Sequence, residues 1–166
     1  MGFFETPLMD INASNLFLDY FNGQLKNKDY IMVSPDAGAV KASTKFANKL
    51  NIPIAYLNKK RDLKTGKVFI KGIDRSIKGK DIIILDDMIV TGSTLLSASK
   101  YLKREGANSI TVAATHHLFL DGVQQKLEKS DINTFLITDS IKKPDHLVSK
   151  NLQVFSINEM IASTFN

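Results

Sequence analysis

Two hydrophobic rhythms run through the chain. Spacings of three and four join Leu16, Phe17, Tyr20, Phe21 and Leu25, which predicts a helix over residues 12–27. A second helix is predicted over 38–50, with Val40, Phe46, Ala47 and Leu50 on its buried side. Short apolar runs bounded by turn residues predict strands at 29–34, 52–57 and 81–86, and a weaker one at 68–70. After residue 86 the pattern gives a helix at 93–105, stopped by Gly106. A strand at 109–115, a short helix at 123–128 and a strand at 133–138 follow. A last strand at 152–155 and a helix at 158–164 complete the series. Strands alternate with helices throughout, which predicts an α/β fold with a mainly parallel sheet flanked by helices. Ligands of such sheets bind beyond the carboxyl ends of the strands. The loops after Val33, Leu57 and Leu85 should then share one rim.

The third of these loops is the most informative. Ile82-Ile83-Ile84-Leu85 reads as a buried strand, and Asp86 and Asp87 follow as a short acidic turn. Thr91-Gly92-Ser93-Thr94 then leads into the helix opened by Leu95. Small residues, hydroxyls and free N–H groups at a helix N-terminus suit a phosphate. Two carboxylates suit hydroxyls or a metal ion nearby. A ligand with phosphate at one end and a diol at the other, a ribose 5-phosphate, matches both. The Gly-Lys-Ser/Thr ending of a P-loop is missing.

The first loop, Ser34-Pro35-Asp36-Ala37-Gly38-Ala39, is small enough for a ligand to approach its backbone. Asp36 suits either a metal ion between phosphates or a helix cap. The second loop, residues 58–67, is dense in cations and includes Lys59, Lys60 and Arg61. Such a loop is either a solvated turn or a source of charge for a transferring phosphoryl group.

Composition narrows the function classes. The 166 residues, 43% hydrophobic and 23% charged, fit one globular domain with a real core. No apolar run is long enough to span a bilayer, and residues 1–7 lack the regions of a signal peptide, so a cytoplasmic setting is expected. With no cysteine there is neither a disulfide framework nor a thiolate metal site. The net charge of +5 suits anionic ligands or a lysine-rich solvated surface. No dense basic tract interleaved with aromatics argues for nucleic acid.

At residues 83–94 the chain resembles the phosphoribosyl-pyrophosphate (PRPP) binding motif of type I phosphoribosyltransferases and of PRPP synthetases (ribose-phosphate diphosphokinases). Asp86-Asp87-Met88-Ile89 favours the synthetases. So do Val33-Ser34-Pro35-Asp36 with Gly38, the Lys59-x-Arg61 pair, Ala114-Thr115-His116, Thr138-Asp139-Ser140-Ile141 and Phe3-Phe4-Glu5-Thr6-Pro7. The resemblance covers nearly the whole chain, in order, and is to the ribose-5-phosphate-binding, C-terminal domain. It implies a single domain over 1–166, with the synthetase's N-terminal domain absent.

The resemblance further implies roles. Asp86 and Asp87 would meet the ribose hydroxyls, and Val90, Thr91, Gly92, Ser93 and Thr94 the 5-phosphate. Asp36, Ala37, Gly38 and Ala39 would face the diphosphate, with Mg²⁺ as cofactor held at Asp36 and Asp86. Lys59 and Arg61 would be catalytic, stabilising diphosphoryl transfer from ATP to the ribose 1-hydroxyl. Partners would be ribose 5-phosphate or PRPP, with ATP only where a complementary domain is present, and a homo-oligomer is implied. Two alternatives stand beside this: a compact phosphoribosyltransferase using PRPP and a base, and a non-catalytic PRPP-binding regulatory subunit. The sequence departs from the family at Val90, where many synthetases carry Asp, and at Ala39, where Gly is frequent; Ala39 fits if its φ stays negative. His116 and His117 are expected to be structural or interfacial. Val154 and Phe155 are expected to leave an apolar edge open.

Overall fold

A computed structural model describes residues 11–61 and 68–165. Among these residues seven strands form one sheet in the order β3-β2-β1-β4-β5-β6-β7. They are β1 (Tyr30–Ser34), β2 (Ile54–Arg61), β3 (Val68–Ile73), β4 (Asp81–Ile89), β5 (Ser109–His117), β6 (Thr134–Thr138) and β7 (Leu152–Phe155). All neighbours pair in parallel except β2 and β3, which form an antiparallel arm. The predicted α/β class with a mainly parallel, helix-flanked sheet is the fold observed.

The α-helices among the described residues are α1 (Ser14–Asn22), α2 (Val40–Leu50), α3 (Ser93–Arg104), α4 (Val123–Glu128) and α5 (Asn158–Ala162), of which the first four bury residues against the sheet. The three isoleucines of β4 explain the layering. Ile82 and Ile84 pack with Leu95, Ala98 and Leu102 of α3, whereas Ile83 packs with Phe17 and Phe21 of α1 and Phe46 of α2. A strand covered on both sides must be apolar at every position, which is why it reads as a continuous run. Each such side chain taken fully from water contributes about 1.5–3 kcal/mol.

Three expectations need correction. The first helix ends at Asn22; Gly23, a weak helix former, stands at its C-cap, and only a 3-10 turn (Leu25–Asn27) follows. The acids Asp86 and Asp87 lie within β4, which runs on to Ile89 because β5 is long enough to pair with it as far as His117. Lys59 and Arg61 likewise belong to β2: the arm formed with β3 pairs Lys59 with Ile70 and Arg61 with Val68. The remainder of the cationic loop, residues 62–67, lies outside the described residues, as does the segment 3–7.

At the far edge, Phe155 packs edge-to-face on Phe17 and Tyr20 of α1, at 5.8 and 5.9 Å between ring centroids. Val154 remains exposed. The expected open edge is therefore present at Val154 and closed at Phe155.

Candidate functional site

Because β1, β2 and β4 are parallel, their carboxyl ends lie on one edge of the sheet. The loop after β4 is shaped by Gly92, whose φ is +69°. A Cβ there would also come within 2.9 Å of Leu127 Cδ2, so both backbone conformation and packing require glycine. The turn is tightened by Thr91: its hydroxyl lies 3.2 Å from Ser93 Oγ, and it accepts the Ser93 N–H at 3.4 Å. Val90, Thr91 and Ser93 are exposed, and Thr94 is partly so, at the N-terminus of the twelve-residue α3.

Asp86 and Asp87 precede this loop. Ile84 and Ile89 belong to the same side of the core. They are an odd number of residues apart, so strict strand alternation is broken once between them. The Asp87 N–H donates to Asp86 Oδ1 at 2.9 Å. Burial, and then the hydrogen bond and like charge of Asp87, push the Asp86 carboxyl up to about 6. Added hydroxyl donors or a cation would relieve that strain.

On the neighbouring strand, Ser34 Oγ donates to the Asp36 carbonyl at 3.0 Å, and Asp36 Oδ1 accepts the Ala39 N–H at 3.1 Å. Asp36 therefore ties down the turn into α2 with one oxygen. Its other oxygen is 3.9 Å from Lys59 Nζ. Ala39 has φ −81°, so no glycine is needed there. Lys59 also lines a cleft of ≈ 450 Å³ with Ser93, Thr94 and Ser97. One ammonium thus stands between the Asp36 loop and the start of α3. Arg61 lies two residues further along the same strand.

A larger cavity of ≈ 600 Å³ opens at the acids themselves. Asp36, Gly38 and Ala39 line it together with Asp86, Asp87 and His116. The structure thus gathers Asp36, Lys59, Asp86, Asp87, Ser93 and Thr94 around two adjoining spaces. The adjacent histidines differ. His117 is buried, with Nε2 3.1 Å from Gln124 Oε1, Nδ1 accepting the Phe119 N–H at 2.8 Å, and its ring stacked on Phe119. Burial lowers its pKa. His116 instead lines the cavity, a position that sequence reasoning missed; the motif Ala114-Thr115-His116 marked a strand end but gave no side-chain direction.

Among the described residues no cluster of three or more histidine and carboxylate side chains could hold a metal ion. Magnesium is commonly bound by one or two carboxylates and completed by waters and substrate phosphates. The Asp36 oxygen facing Lys59, which makes no hydrogen bond among the described residues, and the crowded carboxyl of Asp86 fit that incomplete donor set. No helix among the described residues is long and apolar enough to cross a membrane.

A parallel sheet with a phosphate-type loop and an acidic pair at its rim defines a class, and the family profile agrees. The chain belongs to the phosphoribosyl transferase domain family, whose profile matches residues 3–148. Within it, the similarity is to ribose-phosphate pyrophosphokinases. The one from Corynebacterium efficiens is 34% identical over 99% of this chain and 51% of its own length. That from Saccharolobus solfataricus is 33% identical over 87% of this chain and 54% of its own length. The structure of phosphoribosylpyrophosphate synthetase from Mycobacterium smegmatis superposes with a TM-score of 0.87 at 31% identity, covering 98% of this chain and 52% of that one. A hypoxanthine phosphoribosyltransferase from Staphylococcus aureus, at 19% identity, covers 92% of this chain and 78% of its own with a TM-score of 0.52, and shares the fold. The chain spans about half the length of the curated relatives it matches.

Proposed function

We propose that this chain binds ribose 5-phosphate or PRPP as the acceptor-side domain of a ribose-phosphate diphosphokinase. The observation that carries this is the position of Lys59 between Asp36 and the cleft at Ser93 and Thr94, with Asp36 lining the same cavity as the Asp86–Asp87 pair. In this reading the N–H groups and hydroxyls of Thr91, Ser93 and Thr94 hold the 5-phosphate, with backbone contact from Val90 and Gly92. Asp86 and Asp87 accept hydrogen bonds from the ribose diol. Residues 36–39 cradle the diphosphate. Asp86 and Asp36 would hold Mg²⁺, which would supply positive charge against the diphosphate. Transfer forms a bond from the 1-oxygen to the β-phosphorus of ATP and breaks the bond to the α-phosphate oxygen, releasing AMP. Lys59 and Arg61 stabilise the charge that develops, so Lys59→Ala lowers kcat wherever transfer occurs. A second reading is a non-catalytic PRPP-binding regulatory subunit.

Calorimetry with ribose 5-phosphate, PRPP, ATP and free bases tests these assignments. Saturable binding of ribose 5-phosphate and PRPP with Mg²⁺ is the expected result. Tight binding of a purine or pyrimidine in the presence of PRPP would move the assignment to a transferase. PRPP binding by a chain that shows no turnover of its own with ribose 5-phosphate, ATP and Mg²⁺, but changes the rate of an active relative, favours the regulatory reading. No ribose-phosphate binding by folded protein overturns the proposal.

A further inference from the structure

Two neighbouring histidines end β5, and they are satisfied differently. His117 spends both ring nitrogens on protein partners. His116 spends one: its Nδ1 lies 2.7 Å from Ser140 Oγ. That hydroxyl is anchored in turn. It lies 3.1 Å from the Thr115 carbonyl, to which Thr138 Oγ1 donates at 2.7 Å, and the Ser140 N–H donates to Thr138 Oγ1 at 3.2 Å. The Ser140 hydroxyl can rotate either to donate to Nδ1 or to accept from it, so the network holds the ring with Nε2 as donor or as acceptor. Nε2 has no protein partner among the described residues, and the ring lines the ≈ 600 Å³ cavity. An imidazole fixed by one nitrogen and open at the other is set up to orient a ligand.

Sheet order indicates which part of a ligand this would be. β4 lies between β1 and β5. Residues 36–39 follow β1 on one flank of the Asp86–Asp87 pair, and His116 ends β5 on the other, in register with Met88. A pentose seated on the two aspartates, with its 5-phosphate toward Thr91–Thr94, presents its anomeric end to the cavity between these flanks. We propose that His116 Nε2 hydrogen-bonds the 1-hydroxyl of a bound pentose 5-phosphate, with Ser140 as the positioning residue for the ring. This assignment rests on the ribose-phosphate reading above. It adds a contact that fixes the 1-hydroxyl on the β5 side of the cavity.

The test pairs two ligands with three proteins in calorimetric titrations. The ligands are ribose 5-phosphate and 1,4-anhydro-D-ribitol 5-phosphate, which lacks the 1-hydroxyl. The proteins are wild type, His116→Ala and Ser140→Ala, each confirmed as folded by circular dichroism and thermal melting. His116→Ala should weaken ribose 5-phosphate about five- to tenfold, the scale of one ligand hydrogen bond, and leave the anhydro compound unchanged. Ser140→Ala should give a smaller loss restricted to the same ligand. Equal losses for both ligands, or none for either, overturn the 1-hydroxyl contact while leaving ribose-phosphate binding standing. Should His116→Ala not fold, Ser140→Ala with the two ligands decides alone. Failure of wild type to bind either ligand overturns the underlying reading as well.

Discussion

Asp86→Asn should stabilise the ligand-free protein while weakening its ligand binding. Burial beside Asp87 raises the Asp86 carboxyl from 3.8 to about 6. A shift of that size corresponds to about 3 kcal/mol. Asp86 is only partly buried, and screening at a rim reduces this to about 1–2 kcal/mol. The sign follows from proton binding. Between 3.8 and about 6 the folded state holds more protons than the unfolded one, so this group's contribution to stability falls as pH rises through that window. Asparagine keeps the Oδ1 acceptor for the Asp87 N–H and does not ionise. Urea unfolding should therefore show the variant about 1–2 kcal/mol more stable than wild type at pH 7.5, with the gap closing toward pH 4. Both proteins should share one m-value. A variant equally or less stable at pH 7.5 would show that the acidic pair carries no strain and would remove the physical reason for it to seek hydroxyls or a cation.

Gly92→Ala should destabilise the fold by about 3 kcal/mol or more in urea unfolding, combining left-handed strain with overpacking against buried Leu127; a change under about 1 kcal/mol would contradict the tight packing of the loop. Lys59→Ala should leave stability within about 0.5 kcal/mol, because its partner Asp36 is well exposed. It should weaken PRPP binding by about tenfold, read by calorimetry, whereas unchanged affinity would place Lys59 outside the site. His117 resists protonation below its ordinary 6.5, so it withdraws stability as pH falls through that value. In the Asp86→Asn background, where the opposing slope is gone, His117→Gln should flatten the loss between pH 6.5 and 5; an unchanged slope would contradict a buried neutral imidazole.

Hydrophobic rhythm carried most of the fold, because each strand of the parallel sheet is packed on both sides or bounded by clear turn residues. Its errors came where pairing overrode local signals. Asp86 and Asp87 look like a turn, yet β5 extends β4 past them. Lys59 and Arg61 look like a solvated loop, yet β3 pairs with them. The turn at Thr91–Thr94 was legible because its geometry is local: a glycine at positive φ, hydroxyls and a helix start fall within a few residues. The cavity wall was not. His116 and Ser140 are 24 positions apart, and only the parallel pairing of β5 with β6 brings their strand ends together. The preference of His117 for the core over the cavity depends on Gln124 and Phe119, which no spacing rule identifies.

Backbone amide resonances of the folded chain, followed during titration with ribose 5-phosphate and Mg²⁺, report the ligand's seat residue by residue. If the chain binds ribose 5-phosphate as proposed, saturable shifts are largest at Thr91–Thr94, with smaller ones at Asp86, Asp87 and residues 36–39. Shifts that leave Thr91–Thr94 untouched, or that centre elsewhere on the sheet, would contradict that proposal.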